Sequence, residues 1–286
     1  MDWMQRMESA LDYVEAHLTE AIDYTEVARA ACCSAYHFPR MFMSLTDMTL
    51  AEYIRRRRLT CAAHDLQSED VRILDVAIRY GYESADAFAR AFYRQHRMQP
   101  SQVRGGGAQL TYYPRLSFHL IIKGDVPMNY RLQELDFPLR IVGRRFPVDN
   151  ATAFDVIPGI WQREVEGGLI PKLIDMSWEK PKCRLESLLA VCGTKPRIHD
   201  EVFDYMIGVR YDDAVPEGME EILLPACTWA VFPDIYDAWK RMYTEWLPTS
   251  GFDLADLPII ECHYPPDHDP GTELWVPVVP LERKAE

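Results

Sequence analysis

Residues 73–104, ILDVAIRYGYESADAFARAFYRQHRMQPSQVR, decide the fold of the first part of the chain. The pattern predicts a short apolar helix, a turn at Gly81 and a second helix capped by Ser84. Glycine favours such a turn because it adopts the left-handed conformation at little cost in free energy. In the second helix Asp86, Arg90 and Arg94 recur at i, i+4 and i+8 on a face away from the core. Such a helix-turn-helix with a cationic outer face is suited to a DNA major groove, although outward arginines are also typical of an ordinary solvated surface.

An earlier stretch repeats this organisation. Residues 5–18 predict an amphipathic helix, TEVARAACC (25–33) a second, and SAYHFPRMFMSLT (34–46) a third with Tyr36, Arg40 and Met43 outward. A long helix, TLAEYIRRRRLTCAAHDLQ (49–67), would connect the two units, so that they could reach successive major grooves without a dimer. Pro39 lies about five residues into the third predicted helix, which therefore either begins late or has a distorted first turn.

Together these strings resemble the DNA-binding domain of the AraC/XylS family over residues 5–104. The resemblance rests on SAYHFPRMF, on IRYGYES and on AFARAFYRQHRMQPSQVR with its final Pro-x-x-x-Arg. It implies an all-α, homeodomain-like double helix-turn-helix in which Tyr36, Arg40 and Arg90 contact bases, with Asp86 and Arg94 on the same DNA-facing surface. Asp86 could accept a hydrogen bond from cytosine or act as a partner of the helix dipole, and the sequence favours neither.

Composition limits the class of protein. The 286 residues favour two domains, and a net charge of −13 argues against indiscriminate binding of nucleic acid. Residues 1–107 carry a net charge of only −2, so the acid excess lies in the second part of the chain. The seven scattered cysteines form no C-x-x-C pair, which indicates reduced thiols and no metal site. Without an apolar run of 18 residues or a signal peptide, we expect a soluble, cytoplasmic protein with no membrane partner.

Three glycines, 105–107, mark the expected domain boundary. We therefore expect a DNA-binding domain over 1–107, a linker over 108–127 and a second domain over 128–286. In the second domain the order strand, helix, strand, strand occurs twice, which predicts an α+β domain of two pseudo-symmetric halves with a cleft where their sheets meet. The second copy runs through ACTWAVF (226–232), IYDAWKRMYTEWLPTSG (235–251), PIIECHY (258–264) and ELWVPVV (273–279).

Glu261 is the informative polar residue of this domain. A carboxylate between Ile260 and Cys262 either faces solvent on an edge strand or points into a cavity. The order of elements over residues 128–281 resembles the GyrI-like effector-binding domain, in which the corresponding glutamate lies in an aromatic cleft and meets cationic or polar, aromatic ligands. The resemblance places Glu261 in such a cleft. The remaining candidate ligand-binding residues are His263, Trp275, Trp229, Tyr205 and Trp161.

These patterns predict a ligand-responsive transcription regulator and not an enzyme. We expect promoter DNA and a small-molecule effector as partners, with RNA polymerase as a further candidate, and no cofactor, metal or catalytic residue. Two alternatives remain open at this point. The domain could hydrolyse a reactive small molecule with Glu261 and His263 or a cleft tyrosine positioning water. Alternatively, the tryptophans could fill the cleft and leave only a protein-interaction surface.

Overall fold

The computed structural model describes residues 3–34, 37–68, 71–103, 109–118, 127–149, 152–178, 185, 187–193 and 202–281. The chain divides into two compact units. The first unit comprises residues 1–32 and 48–120, and the second comprises residues 33–47 and 121–286. This division differs from the expected one in two segments, since residues 33–47 cluster with the second unit and residues 108–120, expected to be part of the linker, cluster with the first. The expected boundary at glycines 105–107 lies outside the described residues, so the boundaries themselves stay a prediction.

Helices occupy the first part of the chain in the predicted order. They are α1 (Trp3–Ala16), α2 (Tyr24–Ala30), α3 (Phe38–Thr46), α4 (Leu50–Ser68), α5 (Ile73–Arg79) and α6 (Ala85–His96), followed by a 3-10 turn at Pro100–Gln102. Of these, α3 belongs to the second unit and the others to the first. The helix begins at Phe38, so Pro39 lies in its first turn, where a missing N–H costs nothing. Of the two outcomes for Pro39, the late start is therefore the observed one.

The predicted turn between α5 and α6 is present. Gly81 has φ of +81°, in the left-handed region, and a side chain there would also approach the Arg58 guanidinium. The Ser84 hydroxyl accepts a hydrogen bond from the Ala87 amide at 3.2 Å and so caps α6 as expected. Phe88 and Phe92 are fully buried in the core of this unit. The helix-turn-helix of residues 73–96 is thus confirmed as local structure.

The arginine run of α4 is largely used within the first unit. Arg57 forms a bidentate ion pair with Glu15 of α1, and Arg58 donates hydrogen bonds to the backbone carbonyls of residues 18 and 20. Part of the expected linker also packs here, because Arg115 pairs with Glu8 at 2.7 Å. Residues 109–118 therefore follow the surface of the helical unit and have no regular secondary structure.

The second unit is built on one antiparallel sheet. Its strands are β1 (Arg131–Leu135), β2 (Leu139–Asp149), β3 (Leu188–Cys192), β4 (Val202–Arg210), β5 (Glu220–Leu224), β6 (Cys227–Pro233), β7 (Phe252–Leu254), β8 (Ile259–His263) and β9 (Thr272–Pro280). In the described part of the unit their order is β1-β6-β9-β8-β3-β4-β2-β5, with β7 also paired to β9. The sequence did not predict β5 or β7.

Helices α7 (Ala153–Glu166), α8 (Leu169–Trp178) and α9 (Ile235–Arg241) complete the unit, with a π-helical turn at Met242–Trp246 and a 3-10 turn at Leu247–Thr249. The predicted two-fold pattern is visible in the sheet order. One half contributes β2, β4 and β3 and the other β6, β9 and β8, and the central pair is β3 with β8. The outermost strands are exchanged: β1 pairs with β6 of the second half, and β5 pairs with β2 of the first.

Strand alternation gives the sheet two different faces. One face carries the main apolar cluster, which includes Leu189, Val191, Met206, Trp229, Val231, Ile260, Cys262 and Trp275. The other face carries Glu261 beside Ala190 of β3, at the centre of the sheet. Strands β2 and β4 approach so closely at Gly143 and Gly208 that a side-chain carbon at Gly143 would lie 2.1 Å from the Ile207 carbonyl oxygen.

Candidate functional site

Glu261 lies at the centre of a hydrogen-bonded aromatic cluster. Only 8% of the residue is exposed. One carboxylate oxygen accepts from the Tyr205 hydroxyl at 2.9 Å, and the other accepts from the Trp239 indole N–H at 2.8 Å. Trp161 in turn donates to the Tyr205 hydroxyl at 2.9 Å. Three aromatic side chains from α7, β4 and α9 therefore fix the carboxylate in one orientation.

The surroundings keep this carboxyl group ionised. Burial alone would raise the pKa of Glu261, but the neighbouring His263, the Trp239 hydrogen bond and the positive charge of Arg40 outweigh burial, so the pKa lies below its usual value. Burial and the negative charge of Glu261 raise the pKa of Tyr205 well above normal, so its hydroxyl remains a donor. The site consequently presents a fixed negative charge at neutral pH.

A cavity of about 430 Å³ opens in front of Glu261. It lies over the Glu261 face of the sheet, between α7 and α9, and α3 forms a further wall. The lining residues are Arg40, Met43, Ser44, Ala153, Ile157, Pro158, Trp161, Tyr205, Ile235, Tyr236, Trp239, Glu261, His263 and Thr272. We call this cavity the cleft. Its volume lies within the range of 300–1,000 Å³ that is typical of small-molecule sites, and its walls are mostly apolar and aromatic.

Three of the sequence-predicted ligand residues lie with Glu261 in the cleft. Tyr205 and Trp161 belong to the hydrogen-bond chain, and the His263 imidazole lies 3.9 Å from the nearer Glu261 oxygen. His263 also packs against the Trp161 ring, with 4.5 Å between ring centroids. The argument that residues two apart on a strand share a face therefore places His263 correctly.

The expectation that Trp275 and Trp229 line the same site is wrong. Trp275 pairs with Ile260 across β8 and β9, so it points to the face opposite Glu261. Both tryptophans are at most 1% exposed and belong to the apolar cluster on that face. The Trp275 indole donates instead to Glu273, a second buried carboxylate. Whether two residues on different strands lie on the same face of the sheet depends on the register of the strands, which the sequence pattern does not provide.

Trp239 is a cleft residue that the sequence analysis did not select. A spacing of seven residues on one helix, as between Trp239 and Trp246, is typical of two side chains that pack in the core. For Trp246 packing is observed, because its ring contacts Phe232 and Phe252. The helix becomes π-helical at Met242, however, so the two tryptophans do not share one regular α-helical face. No signal in the local sequence identifies Trp239 as a donor to Glu261.

Arg40 does not point into open solvent. Its guanidinium carbon lies 3.9 Å from the centre of the Phe203 ring and 5.1 Å from that of Trp239. Burial acts to lower the Arg40 pKa, but its interaction with Cys192, including a hydrogen bond, and the negative charge of Glu261 outweigh burial and raise the pKa. The expectation of an outward Arg40 on α3 is therefore wrong in this structure, because aromatic rings and a buried carboxylate offer the cation a favourable site inside the cleft.

The second candidate DNA-reading helix is exposed as predicted. Asp86, Arg90 and Arg94 are exposed along one face of α6 and border a shallow groove together with Tyr93 and Gln99. Among the residues that the structure describes, no ion pair is shown for either arginine. Tyr36, the remaining predicted base-contacting residue, lies outside the described residues.

Neither a metal site nor a membrane-spanning helix is found among the described residues. No group of three or more His, Cys, Asp or Glu side chains there could hold a metal ion. The helices with described residues include none that is both long and apolar enough to cross a membrane.

Comparison with known proteins assigns both parts of the chain. Residues 27–106 match a helix-turn-helix domain, and residues 128–279 match the GyrI-like small molecule binding domain. These matches define a class: a DNA-binding transcription regulator with a small-molecule binding domain in the same chain. The chain belongs to the AraC family of helix-turn-helix regulators and, through residues 128–279, to the GyrI-like family.

The relatives in sequence are regulators. SoxS of Salmonella typhimurium, a regulatory protein, is 34% identical over 104 residues, which cover 36% of this chain and 97% of SoxS. YbfP of Bacillus subtilis, an HTH-type transcriptional regulator, is 36% identical over 104 residues, or 36% of this chain, and the match spans only 35% of YbfP. Among solved structures, SAV2435 bound to tetraphenylphosphonium is 26% identical with a TM-score of 0.43, covering 54% of this chain and 96% of that one.

Proposed function

We propose that the chain is an effector-responsive regulator whose cleft binds a small aromatic cation. The observation that carries this proposal is the ionised, buried Glu261 facing an apolar cavity of about 430 Å³. A cationic ligand there would gain charge pairing with Glu261 and cation–π contact with the rings around it, and exclusion of water strengthens both.

The same geometry argues against the two alternatives. Glu261 has a lowered pKa and both of its oxygens already accept hydrogen bonds, so it is a poor general base for hydrolysis. A cavity of this volume is also more than a domain filled by its own tryptophans would leave.

For DNA we propose that α6 enters the major groove of a promoter site with Arg90 and Arg94 facing the bases and phosphates. Their exposure on one helical face supports this role. Asp86 at the start of the same face would select among bases or balance the helix dipole. The DNA-bound regulator would then act on RNA polymerase, which we propose as the final partner. This contact would change promoter output.

The effector proposal is tested by titrating the full chain with a cationic rhodamine dye and following tryptophan and dye fluorescence. Glu261→Gln removes the negative charge, and we expect a loss of dye affinity of about 10- to 100-fold, because charge-assisted contacts contribute about 1.5–3 kcal/mol.

Glu273→Gln is the matched control. Glu273 is also buried, but it is held by Arg131, Tyr264 and Trp275 and does not line the cleft. Its substitution should cost similar stability and leave dye affinity within about twofold of wild type. Equal loss of affinity in both variants, or no loss in Glu261→Gln, would contradict the proposed site.

A further inference from the structure

The cleft already holds a cation from its own chain. The guanidinium of Arg40 lies over the Phe203 ring and against the ring of Trp239. Trp239 is the residue whose indole N–H donates to Glu261. Arg40 is thus placed against the same aromatic wall that would receive a positively charged ligand, and its charge acts on the same carboxylate.

The contact includes more of α3 than one side chain. Met43 and Ser44, one turn further along the helix, also line the cleft. At the start of the helix the imidazole Nε2 of His37 lies 3.0 Å from the Ala255 carbonyl oxygen. The helix also packs against the π-helical turn at Met242–Trp246. Residues 33–47 are therefore part of the second compact unit, although in sequence they lie within the helix-turn-helix match.

The face of α3 that borders the cleft is the face predicted to read DNA. Arg40 and Met43 share the outward side of the helix in the sequence pattern, opposite the buried Phe38 and Phe42. A guanidinium packed between aromatic rings cannot at the same time form a bidentate contact with guanine. Occupation of the cleft by α3 and use of this helix on DNA are consequently mutually exclusive.

We propose that α3 is an internal competitor for the cleft, with Arg40 filling the position of the effector's cationic group, so that effector binding releases the DNA-reading face of α3. The inference rests on the proposed function, because it requires that the cleft bind a cation. Its energetic basis is simple competition: the apparent affinity for the effector is reduced by the fraction of molecules in which Arg40 occupies the site. By reciprocity, DNA that captures α3 would raise the affinity for the effector.

The first test measures rhodamine affinity of the full chain with Arg40→Met, which keeps a long side chain and removes the charge. We expect tighter dye binding by about tenfold or more, since the internal competitor is lost. Arg40→Lys, which retains the charge without the flat guanidinium, should fall between Arg40→Met and wild type. Arg72→Met, at an exposed position of the first unit, is the control and should leave dye affinity unchanged.

A second readout follows α3 directly by hydrogen–deuterium exchange of the wild-type chain with and without saturating rhodamine. Amides of residues 38–46 should exchange at least several-fold faster with dye bound, whereas those of residues 85–96 should not change. Dye that binds in a Glu261-dependent way, with unchanged or weaker affinity in Arg40→Met and unchanged exchange in α3, would overturn this inference and leave the proposed function standing. Absence of Glu261-dependent binding in both wild type and Arg40→Met would overturn the proposed function, and this inference with it.

Discussion

His37 should make the second unit sensitive to mild acid. The residue is 1% exposed at the start of α3, and its imidazole Nε2–H donates to the Ala255 carbonyl. Burial lowers the pKa of His37 from 6.5 to about 4, and the nearby charge of Arg40 acts in the same direction. The folded state therefore binds this proton less readily than the unfolded chain. Stability is fully present above pH 6.5 and is lost as the pH falls from 6.5 towards 4.

The size of the effect follows from the difference between the two pKa values. At 1.36 kcal/mol per pKa unit, the full difference between 6.5 and about 4 corresponds to about 3 kcal/mol. At pH 5.0 the loss of stability corresponds to the 1.5 pH units between 6.5 and 5.0, which is about 2 kcal/mol. A loss of this size should be visible in a denaturation midpoint.

The assay is urea unfolding followed by tryptophan fluorescence at pH 7.5 and 5.0, because most of the tryptophans belong to the second unit. His37→Gln retains an N–H donor for Ala255 and cannot titrate, so its unfolding free energy should change about 2 kcal/mol less than that of wild type between the two pH values. His268→Gln, at an exposed position of the same unit, should behave as wild type. Parallel loss of stability in wild type and His37→Gln would refute the reasoning.

Three further outcomes are expected. Gly143→Ala should destabilise the second unit by roughly 3 kcal/mol or more in the same urea assay, because the new methyl group would overlap the Ile207 carbonyl. Gly159 is exposed inside α7 with open space around it, so Gly159→Ala should raise stability by about 0.5–1 kcal/mol. Arg90→Ala should weaken binding to a selected DNA site by about 1–3 kcal/mol in a gel-shift titration, and an unchanged footprint would contradict base contact by α6. Rhodamine affinity should not fall between pH 7.5 and 5 and should fall only below pH 4.5. The reason is that the Glu261 pKa is depressed, so that the carboxylate stays charged at every pH above this pKa. Loss of binding near pH 6 would contradict this assignment.

The sequence predicts well whatever depends on neighbours along the chain. The turn at Gly81, the Ser84 cap and the buried Phe88 and Phe92 follow from local geometry and helical periodicity, and the structure contains all of them. The repeated order of strands and helices likewise predicts the two-fold arrangement of the sheet. The placement of His263 beside Glu261 needs only the alternation of a single strand.

The errors concern contacts between distant parts of the chain. The position of Trp275 relative to Glu261 depends on the register of β8 and β9, and a shift of one residue would reverse it. Arg40 was expected to face outward because the helical pattern separates it from the buried residues of α3. The rings that receive it, on β4 and α9, have no sequence relation to α3. Amphipathic periodicity identifies which face of a helix is polar, but it does not show whether water or a cavity faces that side.

The exchanged outer strands have a consequence for how the chain matures. Because β1 pairs with β6, and β2 with β5, the outer strands of the first half lack their partners until residues 220–233 have been synthesised. An unpaired edge exposes backbone donors and acceptors, and pairing of strands distant in sequence is slow. The β2 edge therefore stays open until β5 has been synthesised, and β1 stays unpaired until β6 has been synthesised. During this interval the cleft that receives Arg40 has not yet formed. In newly made molecules α3 would therefore be free before any effector is bound.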